Sequence, residues 1–252
     1  MLAIDLNSAT HAVVDDDDGG AVRQVPALAV LEPPQLRTGM AAARRARLAP
    51  LFVARGHWEH PDDTLLPRGL PGATTRGEVA YAQVAELWPV GARAGVVSLS
   101  PATGPDDVAR LAGLFAAAGR EAAAWIDAAV AAVAPRAASR RALWVEAEAS
   151  RTVLAEVIRE PGVDGGWLAR RGRVELSRAV GMNAIDDAVA RGVAQHFLRT
   201  SRFDPLAVAA SEQALFDALP AVHEALAAGQ SATVRSEEHT SELQSLAYLV
   251  CR

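Results

Sequence analysis

The sequence contains no lysine: all 25 of its basic residues are arginine, which excludes every lysine-dependent mechanism. Its single cysteine, Cys251, leaves no intramolecular disulfide and no multi-cysteine metal site. Aromatic residues make up only 5% of the chain, and the five tryptophans (Trp58, Trp88, Trp125, Trp144 and Trp167) follow no pattern, which assigns them to packing. No uninterrupted apolar run reaches the ~18 residues that a membrane span needs. The first residues, Met1-Leu-Ala-Ile-Asp, lack the basic segment and small-residue cleavage site of a secretory signal. The expectation is a soluble, cytoplasmic protein with no membrane partner. Blocks of basic residues are also missing. With 25 basic against 30 acidic side chains and a net charge of −5, a nucleic-acid partner is not expected.

What is present is core material: 50% of the 252 residues are apolar, enough for one or two globular domains. Residues 2–6 and 11–14 read as a β-hairpin, the acidic run and two glycines of residues 15–20 as a turn, and residues 21–31 as a third strand interrupted at Pro26. Residues 33–39 read as a break, 40–48 as a short helix, 61–75 as loop and 78–87 as a helix. A buried strand over 94–99 precedes a helix with Pro105 at its first position and Val108, Leu111, Leu114, Phe115 and Ala118 on one face. A further alanine-rich helix is expected to end near Ala134.

From Ala142 the opening pattern returns. Residues 142–146 form a strand ending on an acidic residue, 147–151 a short loop, 152–158 a strand, and 172–177 a third strand. A helix follows from about Met182, with Ile185, Val189, Val193 and Phe197 four apart. Asp5 and Glu146 stand 141 positions apart and Asp18 and Asp164 stand 146 apart, so a duplicated strand-loop-strand-turn-strand unit is expected. Asp204-Pro205 reads as a cap and first turn of a helix through Leu219, with residues 220–228 closing at Gly229. Residues 235–245, RSEEHTSELQS, and 249–252, LVCR, resemble the translation of a sequencing-adapter oligonucleotide. Residues 235–252 are therefore expected to be a read-through artefact, and the natural protein to continue past Val234.

Two acidic-tipped hairpins in a two-lobed α/β chain resemble the plan of the actin-like ATPase superfamily. In particular, the order of segments resembles the nucleotide-binding domain of the seventy-kilodalton heat-shock (DnaK-type) chaperones. Leu2-Ala-Ile-Asp-Leu-Asn-Ser-Ala-Thr is similar to the first phosphate loop, and Gln24-Val-Pro-Ala-Leu-Ala-Val-Leu to the strand that follows it. Val97-Ser-Leu-Ser-Pro-Ala-Thr with the helix after it, and Gly181-Met-Asn-Ala-Ile-Asp-Asp-Ala-Val, resemble later family segments. The resemblance implies an α/β, actin-like (ribonuclease H-like) fold. Its first lobe would span residues 1–135 and its second, incomplete, lobe residues 136–234.

The same resemblance implies ATP and magnesium as cofactors. Asp5 and Glu146 would be the catalytic carboxylates, with Asp5 holding magnesium through water. Asn7, Ser8, Thr10 and Ser150 would bind the nucleotide, and a protein client or co-chaperone would be the partner. Three departures bear on this. Asn7 stands for a glycine, Glu148-Ala149-Ser150-Arg151 replaces a glycine-rich run and a threonine, and Arg55 is the positional counterpart of the family's water-positioning lysine. The glycine-rich adenosine motif would lie beyond Val234. Three readings remain open: an ATP-binding chaperone-type ATPase, an actin-like scaffold without turnover, and a phosphotransferase of the same superfamily.

Other constellations are weaker. His57-Trp58-Glu59-His60 with Asp62 and Asp63 offers metal-ligand residue types but no convergent set, and reads as an exposed loop. The acidic run 15–18 lacks the alternating pattern of a calcium loop. Ser98 and Ser100 lack the glycine-flanked elbow of a serine hydrolase.

Overall fold

A computed structural model describes residues 1–16, 19–89, 95–136, 139–162, 166–235 and 240–243. The turn residues Asp17, Asp18 and Asp164, and Cys251, lie outside the described residues. The fold is mixed α/β. Strands β1 (Leu2–Leu6), β2 (Thr10–Asp15) and β3 (Val22–Pro26) form an antiparallel meander. The chain breaks at Ala27, and β4 (Leu28–Glu32) leaves for another sheet with β5 (Gln35–Thr38) and β6 (Val53–Arg55). Between these strands lie α1 (Gly39–Ala43) and a 3-10 turn, Pro50–Phe52. A hairpin of β7 (Leu65–Leu70) and β8 (Ala73–Thr75) leads into α2 (Arg76–Leu87). Thr75 and Glu78 form a reciprocal capping box at the start of α2.

Next come β9 (Gly95–Leu99), α3 (Pro105–Ala117), β10 (Ala122–Asp127) and α4 (Ala128–Val133). The principal sheet runs in the order β3-β2-β1-β9-β10. Its β1–β9 and β9–β10 pairings are parallel, and β2 alone runs against the rest. Strand alternation turns Leu2, Ile4, Leu6, Val97 and Leu99 to one face, where Val84, Leu87 and Trp88 of the α2 region and Leu111 and Phe115 of α3 cover them. Asp5 and Ser98 fall on the opposite parity.

A second antiparallel meander follows: β11 (Arg141–Ala147), β12 (Thr152–Pro161) and β13 (Trp167–Ser177). On β12, Val153, Ala155 and Val157 alternate inward. Ala155 and Val157 pack with Ala129 of α4. Helices α5 (Met182–Ser201) and α6 (Ala209–Ala227) close on each other through Val189, Val193, Phe197, Leu215, Leu219 and Val222. Ala232 and Val234, on β14 (Ala232–Arg235), join that core. The backbone of β15 (Thr240–Leu243), inside the adapter-like stretch, pairs with β14.

Several local expectations need correction. The break at 33–39 contains β5, because the Pro33–Pro34 turn returns the chain onto β4 with Glu32 opposite Gln35. The loop at 61–75 contains the β7–β8 hairpin, whose register is irregular between Leu65 and Leu70, where Pro67 falls. The alanine-rich helix ending near Ala134 is present as the short α4, but the residues before it form strand β10 and do not extend the helix. Parallel pairing to β9 and the edge contact of Trp125 with Phe115, at 5.4 Å, outweigh the helical preference of alanine. Asp204 forms a turn, accepting from Leu206 N–H at 2.9 Å, and the helix begins at Ala209 and continues through Pro220.

Segments distant in sequence are tied by polar contacts. Arg47 reaches Asp187 at 3.1 Å and Glu212 at 3.2 Å, and stacks 3.4 Å over the Phe216 ring. Its backbone N–H donates to Gln213 Oε1 at 2.8 Å, and Gln213 Nε2 donates to the Ala43 carbonyl at 2.9 Å.

Candidate functional site

The loops that end β1 and β11 meet. Each follows a strand whose last residues include a carboxylate, so the meander geometry carries Asp5 and Glu146 toward one place. Asn7 Nδ2 donates to Glu146 Oε1 at 2.8 Å and to the Ala147 carbonyl at 3.2 Å, while Asn7 Oδ1 accepts from Ala9 N–H at 2.8 Å. Ser8 Oγ accepts from Ala149 N–H at 3.1 Å and donates to Glu59 Oε1 at 3.2 Å. Ser150 donates to the same Glu59 carboxylate through its N–H at 3.1 Å and its hydroxyl at 2.7–2.8 Å. Asp5 accepts a very short hydrogen bond from the Ser98 hydroxyl, its register partner on β9. Thr10 opens β2 opposite Pro26, at the base of the first loop.

Of the residues singled out from sequence, Asp5, Asn7, Ser8, Glu146 and Ser150 thus gather around the two loops. Asn7 acts there as a bridge between loops. It does not adopt the left-handed backbone that a glycine at this position would permit. Arg55 lies elsewhere: its Nη1 donates to Asn183 Oδ1 at 2.6 Å, and burial, with Arg47 nearby, lowers its pKa.

The second loop is rigidly built. Glu148 and Arg151 form a buried ion pair at 2.5 Å, with side chains only 2% and 6% exposed. Glu148 N–H donates to the Arg151 carbonyl at 2.8 Å. The first N–H groups of α5, on Met182 and Asn183, donate to the Glu148 and Ala149 carbonyls at 2.8 and 3.1 Å. Gly181 permits this docking, since a Cβ there would sit 2.5 Å from Arg151 N and 2.6 Å from Ser150 C.

Electrostatics single out Glu146. Burial raises its carboxyl to about 7, with smaller contributions from Glu148 and Asp5, while hydrogen bonds from Trp144 and Asn7 act in the other direction. A buried carboxyl whose pKa is moved toward neutrality in this way marks Glu146 as a candidate site residue.

Glu59 entered the sequence reading only as a metal-ligand type in an exposed loop, and its buried neighbours correct that expectation. His57 and Trp58 are buried, and Trp58 Nε1 donates to Gln83 Oε1 at 2.8 Å. His11 stands edge-on to Trp58 at 4.7 Å, fully buried, with neither ring nitrogen hydrogen-bonded. Burial, reinforced by His57, lowers its pKa to about 3. Trp167 departs from the packing expectation: it is 53% exposed, under the Arg159 guanidinium at 4.8 Å.

Space between the loops is small. A cavity of about 10 Å³ is lined by Ser8, Glu59, Ser100, Glu148 and Arg151 among others, room for about one water molecule. A larger open cleft of about 390 Å³ shares Ser100 and lies at the ends of β9 and β10, bounded by Trp125, Asp127 and Arg171. Among the described residues, no group of three or more His, Cys, Asp or Glu side chains converges to hold a metal ion. No helix among them is long and apolar enough to cross a membrane. No protein-family model matches the chain, and no curated protein matches it in sequence.

Proposed function

We propose that the chain is an actin-like nucleotide-binding protein of the DnaK type, with lobes at residues 1–135 and 136–234, ATP and magnesium taken in a cleft between the lobes and the phosphates held at the two loops. One observation carries this reading. Two antiparallel meanders, each with an acidic residue at the end of its first strand, meet through Asn7 and Glu146 despite their separation of 139 positions. The mixed principal sheet and the cleft at the carboxyl ends of β9 and β10 support it, since ligands of open α/β sheets gather at such ends.

In this reading the Ser8 and Ser150 hydroxyls and the Ala149 and Ser150 N–H groups hold the phosphates, with the Thr10 hydroxyl at the base of the first loop. These donors suit an oxyanion, because they already hold a carboxylate and the Ser8 hydroxyl. Asp5 and Glu146 would face magnesium and its waters. Bound ATP would supply the phosphoanhydride, and ATP-dependent lobe closure would drive a partner or chaperone cycle, as the family resemblance implies. The chain's own residues are better suited to binding than to fast turnover. The chain has no lysine, and Arg55 is engaged with Asn183. The partner in this reading is a protein client or co-chaperone, in the cytoplasm, and neither nucleic acid nor membrane.

A second reading, an actin-like scaffold without turnover, is favoured by the direct closure of the two loops through Asn7 and Glu59. Calorimetric titration with ATP and ADP in magnesium separates the two. Saturable binding at or below millimolar nucleotide supports the first, and no heat and no melting shift supports the second.

A further inference from the structure

Glu59 has no place in the nucleotide reading, yet its carboxylate sits where that reading needs an anion. One oxygen accepts from Ser8 Oγ on the first loop, and both accept from Ser150 on the second, which also gives its N–H. Two hydroxyls and a backbone N–H converging from separate loops form a donor set that also suits a phosphoryl oxygen.

The aim of Glu59 is fixed by its neighbours. It closes a turn in which its N–H donates to the Gly56 carbonyl at 3.1 Å, with Gly56 at φ +71. On one side Trp58 is anchored in the core by Gln83, and on the other His60 Nδ1 lies 3.3 Å from Asp107. Glu148, which lines the same cavity and is 1% exposed, keeps its Oε1 without a hydrogen-bond partner.

We propose that the two loops form a phosphoryl-binding site that Glu59 occupies as a tethered carboxylate, so that a phosphoryl group enters by displacing it. The inference rests on the nucleotide reading for the larger ligand and on the Glu59 contacts for the site itself. Because Glu59 is held on the same chain, it competes at a high effective concentration, and the unaltered protein binds free phosphate weakly. Truncating Glu59 leaves a carboxylate-sized space whose donors lack an acceptor.

The test is thermal unfolding of the unaltered chain, Glu59→Ala and Glu59→Gln against inorganic phosphate with magnesium, and separately against ATP with magnesium. Glu59→Ala is expected to be stabilised at phosphate concentrations at least about tenfold lower than the unaltered chain requires, with Glu59→Gln between them. Should Glu59→Ala fail to fold, the comparison rests on Glu59→Gln, which keeps the side-chain volume. The same phosphate response in the variants and the unaltered chain overturns the proposal. If phosphate stabilises Glu59→Ala while ATP stabilises no form, the phosphoryl site stands and the nucleotide reading fails. If ATP stabilises all three forms equally, the nucleotide reading stands and the tethered occupant is refuted.

Discussion

Glu146→Gln is expected to stabilise the protein in mild alkali by an amount that disappears in acid. The folded protein holds the Glu146 proton up to about 7 because the carboxyl is buried, whereas an unperturbed glutamate releases it near 4.5. Between those values the folded state binds a proton that the unfolded chain does not. Stability therefore falls as pH rises from 4.5 to 7 and is level above. A gap of that width corresponds to about 3 kcal/mol. Glutamine carries no charge at any pH, so the difference between the two forms should widen by about 3 kcal/mol from pH 4.5 to 8, or about 6–12 °C in Tm for a chain of this size. Any fixed loss of the hydrogen bonds from Asn7 and Trp144 displaces the variant equally at every pH and cancels in that comparison. Parallel urea or thermal melts across the range make the measurement. A difference that stays constant to within about 1 kcal/mol would refute a buried, protonated Glu146.

Three further outcomes are expected. His11 is neutral when folded, with a pKa of about 3 against the usual 6.5, so the stability it permits is fully present above 6.5 and falls toward 3. The slope is about 1.4 kcal/mol per pH unit, and His11→Phe, which keeps a ring against Trp58, should flatten the acid limb of the stability curve by that amount. An unchanged limb contradicts it. Arg151→Ala leaves the buried Glu148 without its ion-pair partner and should cost about 3–5 kcal/mol in chemical denaturation. The pair Glu148→Leu with Arg151→Met should cost less, and the reverse order would show that the ion pair is not what holds the loop. Thr75→Ala removes the capping box of α2 and should cost about 1 kcal/mol, with Thr75→Gly nearer the native value; equal losses would place the effect outside the cap.

Elements whose signal is local were legible in the sequence. The β1–β2 hairpin shows alternation, α3 shows Pro105 at its start and an apolar stripe through Leu111 and Phe115, and the second meander repeats the first. What escaped depends on distant partners. Strand β10 is alanine-rich, and only its pairing to β9 and the contact of Trp125 with Phe115 distinguish it from a helix. Pro33, Pro34 and Pro67 read as loop signals, yet each sits in or beside a hairpin with an irregular or tight turn. At the site, Asp5 and Glu146 could be placed by counting to the ends of matching strands. Glu59 could not, because its partners Ser8 and Ser150 lie 51 and 91 positions away. His57 and Trp58 look solvent-facing by composition, and the Gln83 side chain that lets them be buried is on α2.

The most direct measurement is calorimetric titration of the chain with ATP in magnesium, at neutral pH, alongside Asn7→Ala and Ser150→Ala. The expected result is saturable binding to the unaltered chain that weakens about tenfold on loss of the Ser150 hydroxyl. Absence of binding at millimolar ATP, in both the unaltered chain and Glu59→Ala, would contradict a nucleotide site whose phosphates are held at the two loops.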